Sequence, residues 1–133
     1  MTAGLEITAG NALSKRGAVR GPTRVLNLRL KKMPIASPRY AFNATMVGGA
    51  PPDPGVFALW EKDELIYYGR AQGHGTTIQS RLKEHLEGGG RCTSRATHYG
   101  WEISSNPRAR EAELLREYER SHGHLPRCNV GAS

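Results

Sequence analysis

Cysteine is nearly absent, with only Cys92 and Cys128 among 133 residues. Two cysteines are too few to imply a disulfide framework, so a reducing, cytoplasmic setting is the expectation. With His98, His122 and His124 they offer soft metal ligands, but none stands at the CxxC or HxxxH spacing of zinc sites. Scattered structural or surface residues account for them. Long apolar runs are also lacking: nothing approaches the roughly 20 residues that span a bilayer, and no signal-peptide core is present. A soluble chain with no membrane partner follows. Internal repeats are absent too, and the length fits one domain with a modest core.

Acidic residues are missing from one end. Residues 1–39 hold eight Lys/Arg against a single acidic residue, Glu6, whereas the rest of the chain holds eleven of each sign. The whole excess of +7 therefore lies in an N-terminal arm. Apart from Val25–Leu30, which alternates and could form a short strand, the arm has no sustained periodicity. Three roles stay open for it: a tail that tracks phosphates, a mitochondrial transit peptide, and a solubilising segment. Residues 40–133 are the folded domain.

Within that domain, Gly55 to Ala71 reads as a β-hairpin. Val56–Trp60 and Leu65–Tyr68 carry aromatic and β-branched residues suited to strands, and the charged stretch Glu61–Glu64 separates them. A three-residue loop, Glu61-Lys62-Asp63, would pair Phe57 directly with Tyr67 on one face, with Asp63 in the left-handed conformation. Pairing Phe57 with Tyr68 instead would turn Tyr67 to the other face.

A helix follows. Thr76 or Thr77 can cap it, Ile78, Leu82 and Leu86 recur every fourth residue, and Gly88–Gly90 end it. The loop beyond, with Arg91 and Arg95, is basic. Trp101 and Ile103 alternate with Glu102 in a third strand. Asn106 and Pro107 then start a second helix that Gly123 closes. This β-β-α-β-α order predicts an α+β domain: a small, mainly three-stranded antiparallel sheet flanked by helices.

Gly55-Val56-Phe57 and Tyr67-Tyr68-Gly69 resemble the paired signatures of the GIY-YIG nuclease family. Ile66 to Ala71 is similar to the second signature in the family's excision-repair members. Arg81 on the first helix, Glu111 on the second and Asn129 near the end complete the pattern. The resemblance covers Gly55 to Asn129 and departs at Phe57, where the signature normally has tyrosine.

The resemblance implies a DNA endonuclease using a divalent cation, Mg²⁺ or Mn²⁺. It makes Glu111 the metal ligand, ahead of its helix neighbours Glu113 and Glu117. It makes Arg81 the phosphate fork, with Arg70 in the place of the excision-repair lysine, and Asn129 a residue that orients phosphate or anchors the tail. His85, one turn beyond Arg81, matches a histidine of some restriction-enzyme members. Arg91 and Arg95 would add phosphate contacts.

The chemistry is consistent with these residue types. An anionic phosphodiester needs its charge neutralised, an aligned water and a stabilised leaving oxygen, and Mg²⁺ can be held by one carboxylate plus phosphate. Phe57 has no hydroxyl. Tyr67 could serve as base only if cations depressed its pKa from about 10, and His85 is the other acceptor. Three functions remain open: a DNA endonuclease slowed by Phe57, a disabled module of the same fold that binds nucleic acid, and an unrelated small α+β protein.

Overall fold

A computed structural model describes residues 34–130 of the chain. The arm's possible strand at Val25–Leu30, and its phosphate-tracking or targeting roles, lie outside the described residues. The elements are β1 (Tyr40–Ala41), α1 (Ala44–Val47), β2 (Gly55–Glu61), β3 (Glu64–Ala71), α2 (Ile78–Leu86), a 3₁₀ turn (Thr93–Arg95), β4 (His98–Ile103) and α3 (Pro107–His122). They form an α+β fold around one antiparallel sheet in the order β1-β4-β2-β3. The sheet has four strands rather than three. The extra one, β1, is only two residues long, too short to show any alternation.

Strand β2 lies between β3 and β4, and six of its seven residues are buried. Alternation sends them to opposite faces. Phe57 and Leu59 join Val47, Ile78, Leu82 and Tyr99 on the side covered by α1 and α2. Val56, Ala58 and Trp60 meet Leu114 of α3 and Ile35 on the other. The caps form as their residue types demand. Thr77 and Ser80 make a reciprocal capping box on α2, Asn106 caps α3 with Pro107 in its first turn, and Gly123 ends it at φ +82°.

The hairpin corrects the expected register. Its loop is the two residues Lys62-Asp63, and Lys62 rather than Asp63 takes the left-handed conformation, at φ +57°. Beside the loop Glu61 faces Glu64 and Trp60 faces Leu65. Continued unbroken, that pairing would set Phe57 against Tyr68 and carry Tyr67 to the α3 side. A bulge prevents it: the register shifts between Leu59 and Trp60, so that Leu59 faces Tyr67 and Phe57 faces Gly69. Ile66 is the extra residue, and inserting one residue restores the parity of the pleat. Phe57 and Tyr67 thus share a face as diagonal neighbours, ring centroids 6.1 Å apart, not as a directly opposed pair.

β3 is the sheet's outer strand, and the C-terminal tail covers its edge. Cys128 N–H donates to the carbonyl of the bulge residue Ile66 at 2.8 Å. Asn129 accepts from Tyr68 N–H at 2.9 Å and donates to Tyr68 C=O at 3.0 Å. The side-chain amide therefore satisfies backbone groups that an open edge leaves unpaired. Arg127 adds ion pairs to Glu61 and Glu64 at the hairpin's end.

The cysteines are not scattered. Cys92 and Cys128 form a disulfide across 36 residues, joining the loop after α2 to the tail. Such bonds persist in oxidising surroundings. Closing a loop of this length stabilises a fold by about 3–4 kcal/mol in the chain-entropy account. Replacing both cysteines by alanine should lower the unfolding midpoint by at least about 10 °C, at roughly 4–8 °C per kcal/mol for a domain this size. Thermal melts of the two forms without reductant check it; equal midpoints would contradict it.

Candidate functional site

Because β3 is an edge strand, side chains from both faces of the sheet meet around it. Tyr67 stands on the α2 side, and Arg70, of opposite parity, leans toward α3. There the Arg70 guanidinium donates to the Glu111 carboxylate at 2.6 Å. Arg81, on α2, reaches over the strand to donate to Arg70 C=O at 3.3 Å and to Glu84 at 2.6 Å. Tyr67, Arg70, Arg81, Glu84 and Glu111, with Gln72 and Thr76, line one polar cavity of about 340 Å³. Four of the residues singled out in the sequence thus converge from three separate elements.

The position of α3 decides which glutamate enters the cavity. Arg110 holds Glu102 of β4 through two bonds, at 2.7 and 3.1 Å, and Glu113 at 2.8 Å. That clamp fixes the helix against the sheet and engages Glu113 on the far side. Glu117 pairs with Arg120. Only Glu111 of the three lines the cavity.

The electrostatics separate Tyr67 from His85. Burial raises the Tyr67 pKa above its ordinary value; Arg81 and Arg70 pull it down and Glu111 pushes it up, and the balance stays upward. The phenol is therefore a proton donor near neutral pH, not a ready base. His85 is 8% exposed, and burial with Arg81 nearby lowers its pKa to about 4, Glu84 opposing. The imidazole is neutral at physiological pH. It sits against Tyr67 and Phe57, ring centroids 5.2 and 5.6 Å away.

Phe57 is fully buried. Across the strands, a Cβ on Gly69 would fall 2.5 Å from Phe57 Cζ and 2.7 Å from Tyr67 Cε2. A side chain there would have to displace both rings, so the strand needs glycine after Tyr67-Tyr68.

The remaining expected residues divide. Asn129 anchors the tail on Tyr68, with both ends of its amide engaged by backbone, which is the tail-anchoring one of its two expected roles. Arg91 is exposed and lines a neighbouring cavity of about 550 Å³, which shares Tyr67, Arg81 and Glu84 with the first. Arg95 is exposed and lines neither cavity. Thr93, which holds His85, and the disulfide beside it gave no signal in the sequence, since they act across gaps of 8 and 36 residues. Glu84 could have been found from its spacing of three from Arg81.

Among the described residues no group of three or more His, Cys, Asp or Glu forms a metal cage. One Glu111 oxygen is taken by Arg70 and the carboxylate borders the cavity. A single carboxylate of this kind fits a hard cation that keeps its waters and shares a substrate's phosphate, and fits no metal requiring several protein ligands. Among the described residues no helix is long and apolar enough to cross a membrane. Comparison with family models, curated proteins and solved structures returned no match.

Proposed function

We propose that the chain is a GIY-YIG-like endonuclease that hydrolyses DNA phosphodiesters with a divalent cation, Mg²⁺ or Mn²⁺, at a rate limited by Phe57. The observation that carries this is the convergence of Tyr67, Arg70, Arg81 and Glu111 on one polar cavity, with a neutral histidine behind it. Arg81 keeps donors beyond its bonds to Glu84 and Arg70 C=O, and a guanidinium matches two phosphate oxygens. Arg70 adds a second positive charge at the same wall. Tyr67, held protonated, can donate to a phosphate or leaving oxygen, and His85 can accept a proton. A cation held by Glu111 would neutralise charge and polarise the phosphate.

A second reading is favoured by one feature. Phe57 buries a plain ring where the signature has a hydroxyl, which suits a module that grips nucleic acid without cutting it. Plasmid cleavage in Mg²⁺ against EDTA, alongside DNA binding across a salt series, separates the possibilities. The proposal expects cleavage only with the metal, and binding whose logarithm falls with log salt by roughly 0.9 per neutralised phosphate. Salt-sensitive binding with no cleavage would favour the binding module. Neither binding nor cleavage would leave an unrelated α+β protein.

A further inference from the structure

His85 Nδ1 lies 2.8 Å from Thr93 Oγ1. That hydroxyl is itself buried, at 3% exposure, and lies 3.3 Å from Gly90 C=O in donor geometry. A hydroxyl has one proton. Directed at the Gly90 carbonyl, it leaves the oxygen's lone pairs toward the imidazole, which must then supply Nδ1–H. The other ring nitrogen, Nε2, is buried with no hydrogen-bond partner among the described residues. If Nε2 carried the proton it would be an orphaned buried donor, which forfeits its hydration with nothing in return. As a bare lone pair it is the less costly exception, because unsatisfied acceptors are commoner than unsatisfied N–H groups.

The loop is built to bring the hydroxyl there. A Cβ on Gly90 would lie 2.4 Å from Thr93 Oγ1, so glycine makes the room. The adjacent Cys92 is tied to the tail through Cys128, which holds the loop against the domain.

From this geometry we infer that Thr93 is a positioning residue: it fixes His85 in the tautomer protonated on Nδ1, leaving a bare Nε2 as the proton acceptor on the ring that packs against Tyr67. The tautomer stands on the hydrogen bonds alone; its consequence for rate rests on the nuclease proposal. Which nitrogen carries the proton is set by the partner of the other, as for imidazoles held by second groups in metal sites and catalytic triads.

The test combines imidazole ¹⁵N spectra of the full chain with single-turnover cleavage in Mg²⁺, for Thr93→Val and Thr93→Ser. Valine keeps the shape and removes the hydroxyl; serine restores it. The unaltered and serine forms should show protonated Nδ1 and bare Nε2. The valine form should move toward the opposite or a mixed tautomer, and its cleavage should fall about 10- to 100-fold, the size typical of such outer partners. Protonated Nε2 in the unaltered chain overturns the inference, as does a valine form with unchanged tautomer. An unchanged rate with a changed tautomer overturns the acceptor role. If no form cleaves DNA while the spectra behave as expected, the tautomer assignment stands and the nuclease proposal fails.

Discussion

Replacing Phe57 by tyrosine should raise single-turnover cleavage by about 10²- to 10⁴-fold, the range for one positioned acid–base group, at nearly unchanged DNA affinity. The ring is already seated, fully buried against Tyr67 and His85. The substitution adds one oxygen at Cζ. A buried hydroxyl needs a partner. His85 Nε2, unpartnered and facing no other donor among the described residues, belongs to the ring beside it. The pairing would link the new hydroxyl, His85 and Thr93 in one chain of hydrogen bonds. Rates measured for both forms in excess Mg²⁺ decide the matter. Equal rates would mean that Tyr67 and His85 already handle the proton and that Phe57 only packs.

Glu111→Ala should reduce metal-dependent cleavage by on the order of 10³-fold or more, since charge stabilisation by a bound metal is worth several kcal/mol and each 1.36 kcal/mol is tenfold in rate. The fold should survive. Its partner Arg70 is 42% exposed and can be hydrated when the carboxylate goes, and an ion pair this close to the surface contributes little to stability. Glu113→Ala and Glu117→Ala should leave cleavage close to normal, because those carboxylates are held by Arg110 and Arg120 away from the cavity. Glu113→Ala loosens one arm of the clamp on α3 and should show a modest loss of thermal stability instead. Full cleavage by the Glu111 variant would move the metal site elsewhere.

Local signals carried much of the fold. The helix caps at Thr77, Asn106 and Gly123 are satisfied within three or four residues, so residue type alone announces them. The same holds for the apolar row Ile78-Leu82. The features that escaped are those closed by distant partners. Ile66 is an ordinary β-branched residue, and nothing in it announces a bulge; the bulge is accommodated by a tail arriving 62 residues later to take its carbonyl. Of the two roles open for Asn129, its amide takes the tail-anchoring one, through a partner 61 residues away at the edge of β3. The disulfide was hidden by distance in the same way. Tyr67, Arg70, Arg81 and Glu111, which the resemblance singled out, lie on strands and helices that bring them to one cavity. Thr93 was not legible in the sequence, because a loop residue has no period and its bond to His85 depends on the path of the chain through Gly90.

The central claim is that the cavity around Tyr67, Arg81 and Glu111 breaks phosphodiester bonds. Supercoiled plasmid mixed with the Phe57→Tyr chain tests it most directly, because that form removes the proposed cause of slow turnover. Three reactions suffice: excess Mg²⁺, EDTA, and Mg²⁺ with Glu111→Ala added to the same background. The account predicts nicked or linear product in the first alone. Intact plasmid in all three, at a salt concentration where the protein binds the DNA, would contradict it.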